Sequence, residues 1–295
     1  MSKKLMLIVN PNSGKGAVST ALFDIIDTFS NADYLVTTYM TRAAGDAGKF
    51  AALSPEYDLI VCVGGDGTLS DTISGLVSLE SDNKPPLGYI PMGTTNDLAN
   101  TFGLPRNPRE SARRILTSDL RQFDVGWFED HHFSYVHAFG AFTDVSFSTP
   151  QDKKKMLGHL AYILEGMSKL STITPEHCVV EHDGGRLEGD FIFGAVTNST
   201  SVAGLVKLPG DEVSLSDGLF EVLLIKYPRN PADLGNIISN VLRRQYDPEY
   251  VSLLHTRRIR FTFDRPVAWT RDGEAGGIYQ TAEAVNLHEA VTLKL

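Results

Sequence analysis

The chain has 295 residues, enough for two domains, and 42% of them are apolar, enough for a sizeable core. Its net charge of −9 excludes nucleic acid as a bulk partner. Two cysteines, Cys62 and Cys178, make neither a disulfide framework nor a zinc cluster, and no apolar run approaches the roughly 18 residues of a membrane span.

In chain order, "KLMLIVN" reads as a short buried strand that runs into the turn residues of "NPNSGKG". Leu22, Ile25, Ile26 and Phe29 then fall at i, i+3, i+4 and i+7, one face of a helix. "YLVTTYM" is the next strand and "GDAGKFAALS" a helix. "YDLIVCV" and "TLSDTISGLVSL" repeat the pair, followed by the strand "PLGYIPM" and a short helix from Asn96 to Phe102. "NPRESARRILTS" is another helix, with Pro108 near its start. Continuous apolar strands alternating with helices predict a parallel sheet covered on both faces. The N-terminal segment "MSKKLMLIVNPNSG" has too short an apolar stretch for a signal peptide, so the expectation is a soluble protein of a reducing compartment.

Near Arg121 the texture changes. Residues 121–129, 133–147, 177–185, 186–198, 218–227, 258–263, 266–274 and 284–295 read as strands, several joined by Asp-Gly or Gly-Gly turns. Two helices interrupt them, at residues 156–170 and 232–244. The predicted organisation is an α/β domain over residues 1–127 and a β-rich domain over 128–295, with the last strand able to return to the first domain.

Three polar, glycine-bearing loops end strands of the first domain: "NPNSGKG", "GGDGT" and "PMGTTND". In a parallel sheet these strand ends share one edge, where open α/β sheets bind ligands. Glycines let backbone N–H groups approach a phosphate, and a following helix N-terminus favours negative charge. Ser13, Thr68, Thr94 and Thr95 supply hydroxyls. Asp66 does not fit a bare phosphate site, because a carboxylate repels phosphate unless a cation lies between them. It therefore points to a divalent metal, Mg2+, shared with a nucleotide; the plainer alternative is a cap for the next helix. The chain has no Walker-type loop, no complete dinucleotide fingerprint, no zinc-protease pair, no Gly-x-Ser-x-Gly elbow and no His-Arg-Asp kinase loop.

The three loops resemble those of the soluble bacterial lipid kinases with a diacylglycerol kinase catalytic domain, relatives of sphingosine and ceramide kinases. The likeness continues through "FDVGWF", "GAFTDV", "LGHLAYILEGMSKL", "LSDGLFEV" and "RDGEAGG", in order over nearly the whole chain. It implies a three-layer α/β domain, a C-terminal β-sandwich and an active-site cleft between them. It implies ATP and Mg2+, with Asn10, Pro11, Asn12, Ser13, Gly14, Thr41, Gly64, Gly65, Asp66, Gly67, Thr68, Leu69, Ser70 and Thr94 around the nucleotide. Glu274, in "DGE", matches the family's catalytic base, with Asp66 linking nucleotide, metal and the catalytic region. Read without the family, Asp272-Gly273 is equally a hairpin turn. "LSDGLFEV" matches a structural metal site, with Ser214 and Leu219 giving carbonyls and Asp217 a carboxylate. Asp71 stands where many relatives have glutamate, so a bond made there is expected to be longer or bridged by water. Ala203-Gly204 departs from the family pattern in the region of the lipid.

The implied activity is an ATP- and Mg2+-dependent lipid kinase, with diacylglycerol the leading acceptor and phosphatidic acid the product. A soluble-acceptor kinase of the NAD kinase type, and a non-catalytic lipid- or nucleotide-binding regulator on the same fold, are the alternatives. A membrane lipid substrate implies a cytoplasmic protein in peripheral contact with the inner face of the membrane. Lys153, Lys154 and Lys155, with Arg243-Arg244 and Arg257-Arg258, are the basic groups available for that contact. Relatives include homodimers, so a homodimer is expected.

Overall fold

The structure, a computed structural model, describes residues 2–81, 84–94, 96–140, 174–199, 201–202, 206–207, 214–242, 245–272 and 274–295. The expected helix at 156–170 lies outside them, as do Lys153, Lys154, Lys155, Thr95, Ala203, Gly204, Arg243 and Arg244. The chain divides into two compact units, Met1–Val125 with Glu289–Leu295, and Gly126–His288.

The first unit alternates β1 (Lys3–Val9), α1 (Ala17–Ser30), β2 (Tyr34–Met40), α2 (Asp46–Ala51), β3 (Leu59–Gly64), α3 (Asp66–Val77) and β4 (Leu87–Pro91), then α4 (Asp97–Thr101) and α5 (Pro108–Thr117). Its strands are parallel in the order β2-β1-β3-β4. β1 from Leu5 onward and all of β3 and β4 are buried, which explains their unbroken apolar runs. Leu5, Leu7 and Val9 pack with Ile25 and Phe29 of α1 and with Ala112 and Ile115 of α5. Met6 and Ile8, between them in β1, are equally buried and belong to the opposite face. Asn107 caps α5: its Oδ1 accepts the N–H groups of Arg109 and Glu110, and Pro108 occupies the first turn. The C-terminus completes this unit, with Leu293 pairing in parallel with Leu87.

The second unit is strand-rich. After β5 (Leu120–Phe128), which begins in the first unit, come β6 (His131–Phe133), β7 (Val136–Gly140), β8 (Glu176–His182) and β9 (Gly185–Thr197). They are followed by β10 (Ser201–Val202), β11 (Val206–Lys207), β12 (Phe220–Lys226), α6 (Pro231–Leu242), β13 (Val251–Thr256), β14 (Arg258–Arg271) and β15 (Glu274–Lys294). β9 pairs with β8, β7 and β12, while β14 pairs with β8, β7 and β15, so the two long strands serve different partners along their lengths. Phe139, Phe261, Phe263 and Trp269 form the centre of an aromatic core, with Phe139 and Phe263 edge-on at 4.9 Å.

Four expected strands come out differently. The single strand read over 133–147 is broken after Phe133, because the next backbone N–H groups bond a side chain, described below, instead of a neighbouring strand. The strands read at 258–263 and 266–274 are one strand, β14, carried through a register shift between Thr262 and Val267. The last strand, read from Ala284, begins already at Glu274; Gly276-Gly277 looked like a break and is a bulge, with Ala275 opposite Thr270 and Gly277 opposite Trp269.

Helices α2 and α3 meet at glycines. A Cβ on Gly75 would stand 2.2 Å from the Gly48 carbonyl oxygen, and one on Gly48 2.8 Å from that of Asp71. Gly75→Ala must separate the helices, at about 1–3 kcal/mol of stability. The expected result is a lower urea midpoint for the variant; an unchanged midpoint would refute the close approach.

Candidate active site

β1, β3 and β4 end side by side in the three glycine-bearing loops. Asn10 follows β1, and its N–H donates to the Val63 carbonyl at 2.9 Å. Its Nδ2 donates to the Thr68 hydroxyl at 3.0 Å, joining "NPNSG" to "GGDGT", while its Oδ1 accepts the Asn12 N–H at 3.0 Å. Gly14, with φ 62, closes the first loop in the left-handed region, next to Ser13.

The loops after β3 and β4 are in backbone contact. A Cβ on Gly93 would lie 2.6 Å from the Gly65 Cα, and one on Gly64 2.7 Å from the Thr68 hydroxyl. Glycine is therefore required at 64 and 93 by contact alone, while a Cβ on Gly65 would be tight, 3.2 Å from the Gly93 Cα. The Met92 N–H donates to the Gly64 carbonyl at 2.7 Å. Asp66 opens α3, and its Oδ2 accepts the Asn96 N–H at 2.7 Å, so the carboxylate ties "GGDGT" to "PMGTTND". Asn96 holds the left-handed region with φ 52. Its Oδ1 accepts the Gly93 N–H and the Tyr89 hydroxyl, and its Nδ2 donates to the Gly93 carbonyl at 2.7 Å.

At the start of α3 the first N–H groups lack intrahelical partners, the arrangement that favours an anion. Gly67 is exposed there and Ser70 half-buried. Leu69 differs: its side chain is in the core, and its N–H donates to the Gly65 carbonyl. Thr94 is exposed at the tip of the third loop. Thr41 is buried after β2, where its N–H donates to the Val9 carbonyl at 2.9 Å, next to Asn10. The Asp71 Oδ2 accepts the Gly45 N–H at 2.8 Å, anchoring the loop after Thr41 to α3. Beside the third loop lies a groove of about 630 Å³, lined by Asp24, Thr94, Asn96, Asn100, Arg106 and Arg109 among others.

In the second unit, β14 turns back into β15 as a tight hairpin, with Arg271 paired to Glu274. The turn reading of Asp272 holds: its φ is 47, as such two-residue turns require. Its carboxylate is also an anchor. Oδ1 accepts the N–H groups of Val136 and Tyr135 at 2.8 and 3.1 Å, and Oδ2 that of Ser134 at 3.3 Å. Burial pushes this carboxyl up, against the pull of those N–H groups and of Arg271.

At the expected structural metal site, Ser214 and Asp217 are exposed and Leu219 half-buried. The Asp217 Oδ1 accepts the Leu219 N–H at 3.0 Å, and the Ser216 carbonyl meets His288 Nε2 at 3.1 Å. Among the described residues no cluster of three His, Cys, Asp or Glu could hold a metal. A site here would consist of one carboxylate and backbone carbonyls, which suits Mg2+ or Ca2+ and not zinc. Both cysteines are buried, and burial pushes each thiol up to about 12, which excludes thiolate chemistry at either. Arg258, of the expected Arg257-Arg258 pair, and Arg260 both bond Glu283, Arg260 at 2.7 Å, so one carboxylate offsets part of the positive charge there. No helix among the described residues is long and apolar enough to cross a membrane.

The residues that sequence reasoning missed are Asn96, Gly93 and the anchoring role of Asp272. An asparagine within a Gly-rich loop was a fair signal for a left-handed residue. Nothing local marks the partners of Asp272.

Comparisons with known proteins agree with this geometry. Residues 4–128 match the diacylglycerol kinase catalytic domain, and residues 141–289 match the YegS C-terminal NAD kinase beta sandwich-like domain. The diacylglycerol kinase of Bacillus subtilis (strain 168) is 34% identical over 294 residues, 98% of this chain and 95% of that one. The diacylglycerol kinase of Staphylococcus saprophyticus subsp. saprophyticus is 31% identical over 280 residues, 94% of this chain and 90% of that one. A crystal structure of a diacylglycerol kinase from Bacillus anthracis str. Sterne shares the fold, with a TM-score of 0.75 at 23% identity, covering 99% of this chain and 96% of that one. An α/β catalytic domain followed by a β-sandwich-like domain, matched in order and nearly end to end, places this chain in the bacterial diacylglycerol kinase family of lipid kinases.

Proposed function

We propose that the chain transfers the γ-phosphoryl group of ATP to the hydroxyl of diacylglycerol, with Mg2+, to give phosphatidic acid. The observation that carries this reading is the junction of two glycine loops, where Asp66 accepts the Asn96 N–H at the open N-terminus of α3. The choice of acceptor follows the Bacillus and Staphylococcus relatives.

In this reading the loops from Asn10 to Gly14 and from Gly64 to Ser70 surround the phosphates, with Thr41 and Thr94 beside them. The groove at Arg106 and Arg109 has the volume of a small-molecule site and takes part of the nucleotide. A carboxylate oxygen is a donor that Mg2+ accepts, so Asp66 fits it. Mg2+ held at Asp66 would supply positive charge to offset that of the phosphates during transfer. Glu274 takes the proton of the acceptor hydroxyl as its oxygen bonds to the γ-phosphorus; the bond to the β–γ bridging oxygen breaks and ADP leaves. Ser214, Asp217 and Leu219 hold a second, structural cation. The acceptor is a membrane lipid, so the reading includes peripheral contact with the inner face of the membrane.

The match of residues 141–289 to a sandwich of the NAD kinase type keeps a soluble acceptor as the second reading. Labelled phosphoryl transfer from ATP in mixed micelles separates the two. The panel holds diacylglycerol, monoacylglycerol, ceramide, sphingosine and undecaprenol, with NAD as the soluble acceptor. Label in phosphatidic acid is expected; label in NAD alone would sink the lipid assignment.

Two variants test the roles. Glu274→Gln lowers kcat about 10²–10⁴-fold with ATP binding intact, the loss typical of a removed general base; undiminished turnover would exclude Glu274 as the base. Asp66→Asn keeps an acceptor for the Asn96 N–H but removes the charge. It raises the Mg2+ concentration needed for half-maximal activity, read by Mg2+ titration at fixed ATP, and EDTA abolishes activity in the parent protein. An identical Mg2+ requirement in Asp66→Asn would separate Asp66 from the metal.

A further inference from the structure

The segment that runs from Ser134 to His137 meets the hairpin on both sides of Glu274. Two residues before Glu274, the buried Asp272 carboxylate takes three successive N–H groups, from Ser134, Tyr135 and Val136. The Asp272 N–H returns the contact, donating to the Val136 carbonyl at 2.8 Å. Two residues after Glu274, Gly276 lies against the ring of His137: a Cβ there would be 2.7 Å from His137 Cε1. His137 is fully buried and cannot give way. Its ring stacks on Phe128 at 3.9 Å, and its Nε2 meets the Nε2 of His131 at 3.0 Å. The Nδ1 of His131 in turn bonds Asp130 at 2.7 Å. His137 also stands opposite Arg271 in the pairing of β7 with β14.

A turn needs none of this. An Asp-Gly hairpin closes with its own backbone bonds, and a glycine bulge needs no ring beneath it. Three N–H groups on one buried carboxylate leave the loop a single position, because moving it would leave those groups unpaired in the interior.

We infer that Asp272 and His137 are positioning residues, which fix Glu274 from either side and so set its reach to the acceptor hydroxyl. This rests on Glu274 being the base. Neither residue touches the reacting atoms; both act through the backbone that carries Glu274. A displacement of about 1 Å at a reacting group costs on the order of 100-fold in rate.

The test compares Asp272→Asn, Glu274→Gln and the double variant. In Asp272→Asn the shape is kept and Oδ1 still accepts two N–H groups, but an amide N–H₂ now faces the Ser134 N–H. The expected result is a fall in kcat of about 10–100-fold, with the KM for ATP and the urea midpoint close to the parent's. The double variant is expected to be no slower than Glu274→Gln alone, because a positioning residue has nothing left to position. Full kcat in Asp272→Asn, with Glu274→Gln inactive, overturns the inference and leaves the base intact. Losses that multiply in the double variant also overturn it. Full activity in Glu274→Gln removes the base and the inference with it. Should Asp272→Asn fail to fold, His137→Gln takes its place. It removes the ring under Gly276 and keeps a polar group toward His131, and the same comparison with Glu274→Gln decides.

Discussion

The backbones after β3 and β4 touch at Gly65 and Gly93, with no room for a side chain between them. That contact sets the geometry of the candidate nucleotide site. It brings the Asn96 N–H within 2.7 Å of the Asp66 carboxylate. It leaves Gly64 over Thr68, whose hydroxyl then receives the Asn10 amide from the neighbouring loop. Any residue larger than glycine at 93 would push β4's loop away and open each of these links in turn. The parallel sheet supplies the alignment, since all three loops leave the same edge.

The same device recurs through the molecule: an aspartate side chain accepts backbone N–H groups from a distant segment. Asp66 does so at Asn96, Asp71 at Gly45, Asp272 at residues 134–136 and Asp183 at Arg257 and Arg258. The electrostatic outcome depends on depth. At Asp183 burial works against the charge, but the Thr256 hydroxyl and the two N–H groups outweigh it and hold the carboxyl below its usual value. At Asp272 burial wins over three N–H groups and pushes the carboxyl up. A lowered carboxyl contributes stability above its unfolded pKa, and that stability is lost as pH falls through the folded value. Asp183 therefore makes its β8–β9 turn acid-sensitive, whereas Asp272 tolerates a lower pH for as long as its site stays closed.

The first unit was legible in the sequence because its signals are local. Buried parallel strands are continuous apolar runs, as in Leu59 to Val63, and each is punctuated by glycine and closed by a periodic helix. The Pro108 helix start, the Asp183-Gly184 hairpin and the three loops on one sheet edge were readable for the same reason. The second unit was less so. Gly276-Gly277 reads as a break in any window, and only β14 opposite shows it to be a bulge within β15. The strand expected through residues 133–147 fails at 134–135 because its N–H groups answer to Asp272, far along the chain. Asn96 sat inside a quoted motif and was passed over, since its function there is a backbone conformation and four hydrogen bonds, not a charge.

Asp71 shows how a short carboxylate reaches a neighbouring loop. A glutamate there would reach one methylene further from α3. In this chain α2 is drawn onto α3 at Gly48 and Gly75, so the loop leading into α2 is already close. The Asp71 carboxylate therefore bonds the Gly45 N–H directly at 2.8 Å. Gly45 is left-handed, with φ 80, and the loop it ends carries Thr41, whose N–H is fixed to Val9 beside Asn10. A helix that starts with Asp66 thus also holds, one turn on, the loop that carries Thr41 beside Asn10.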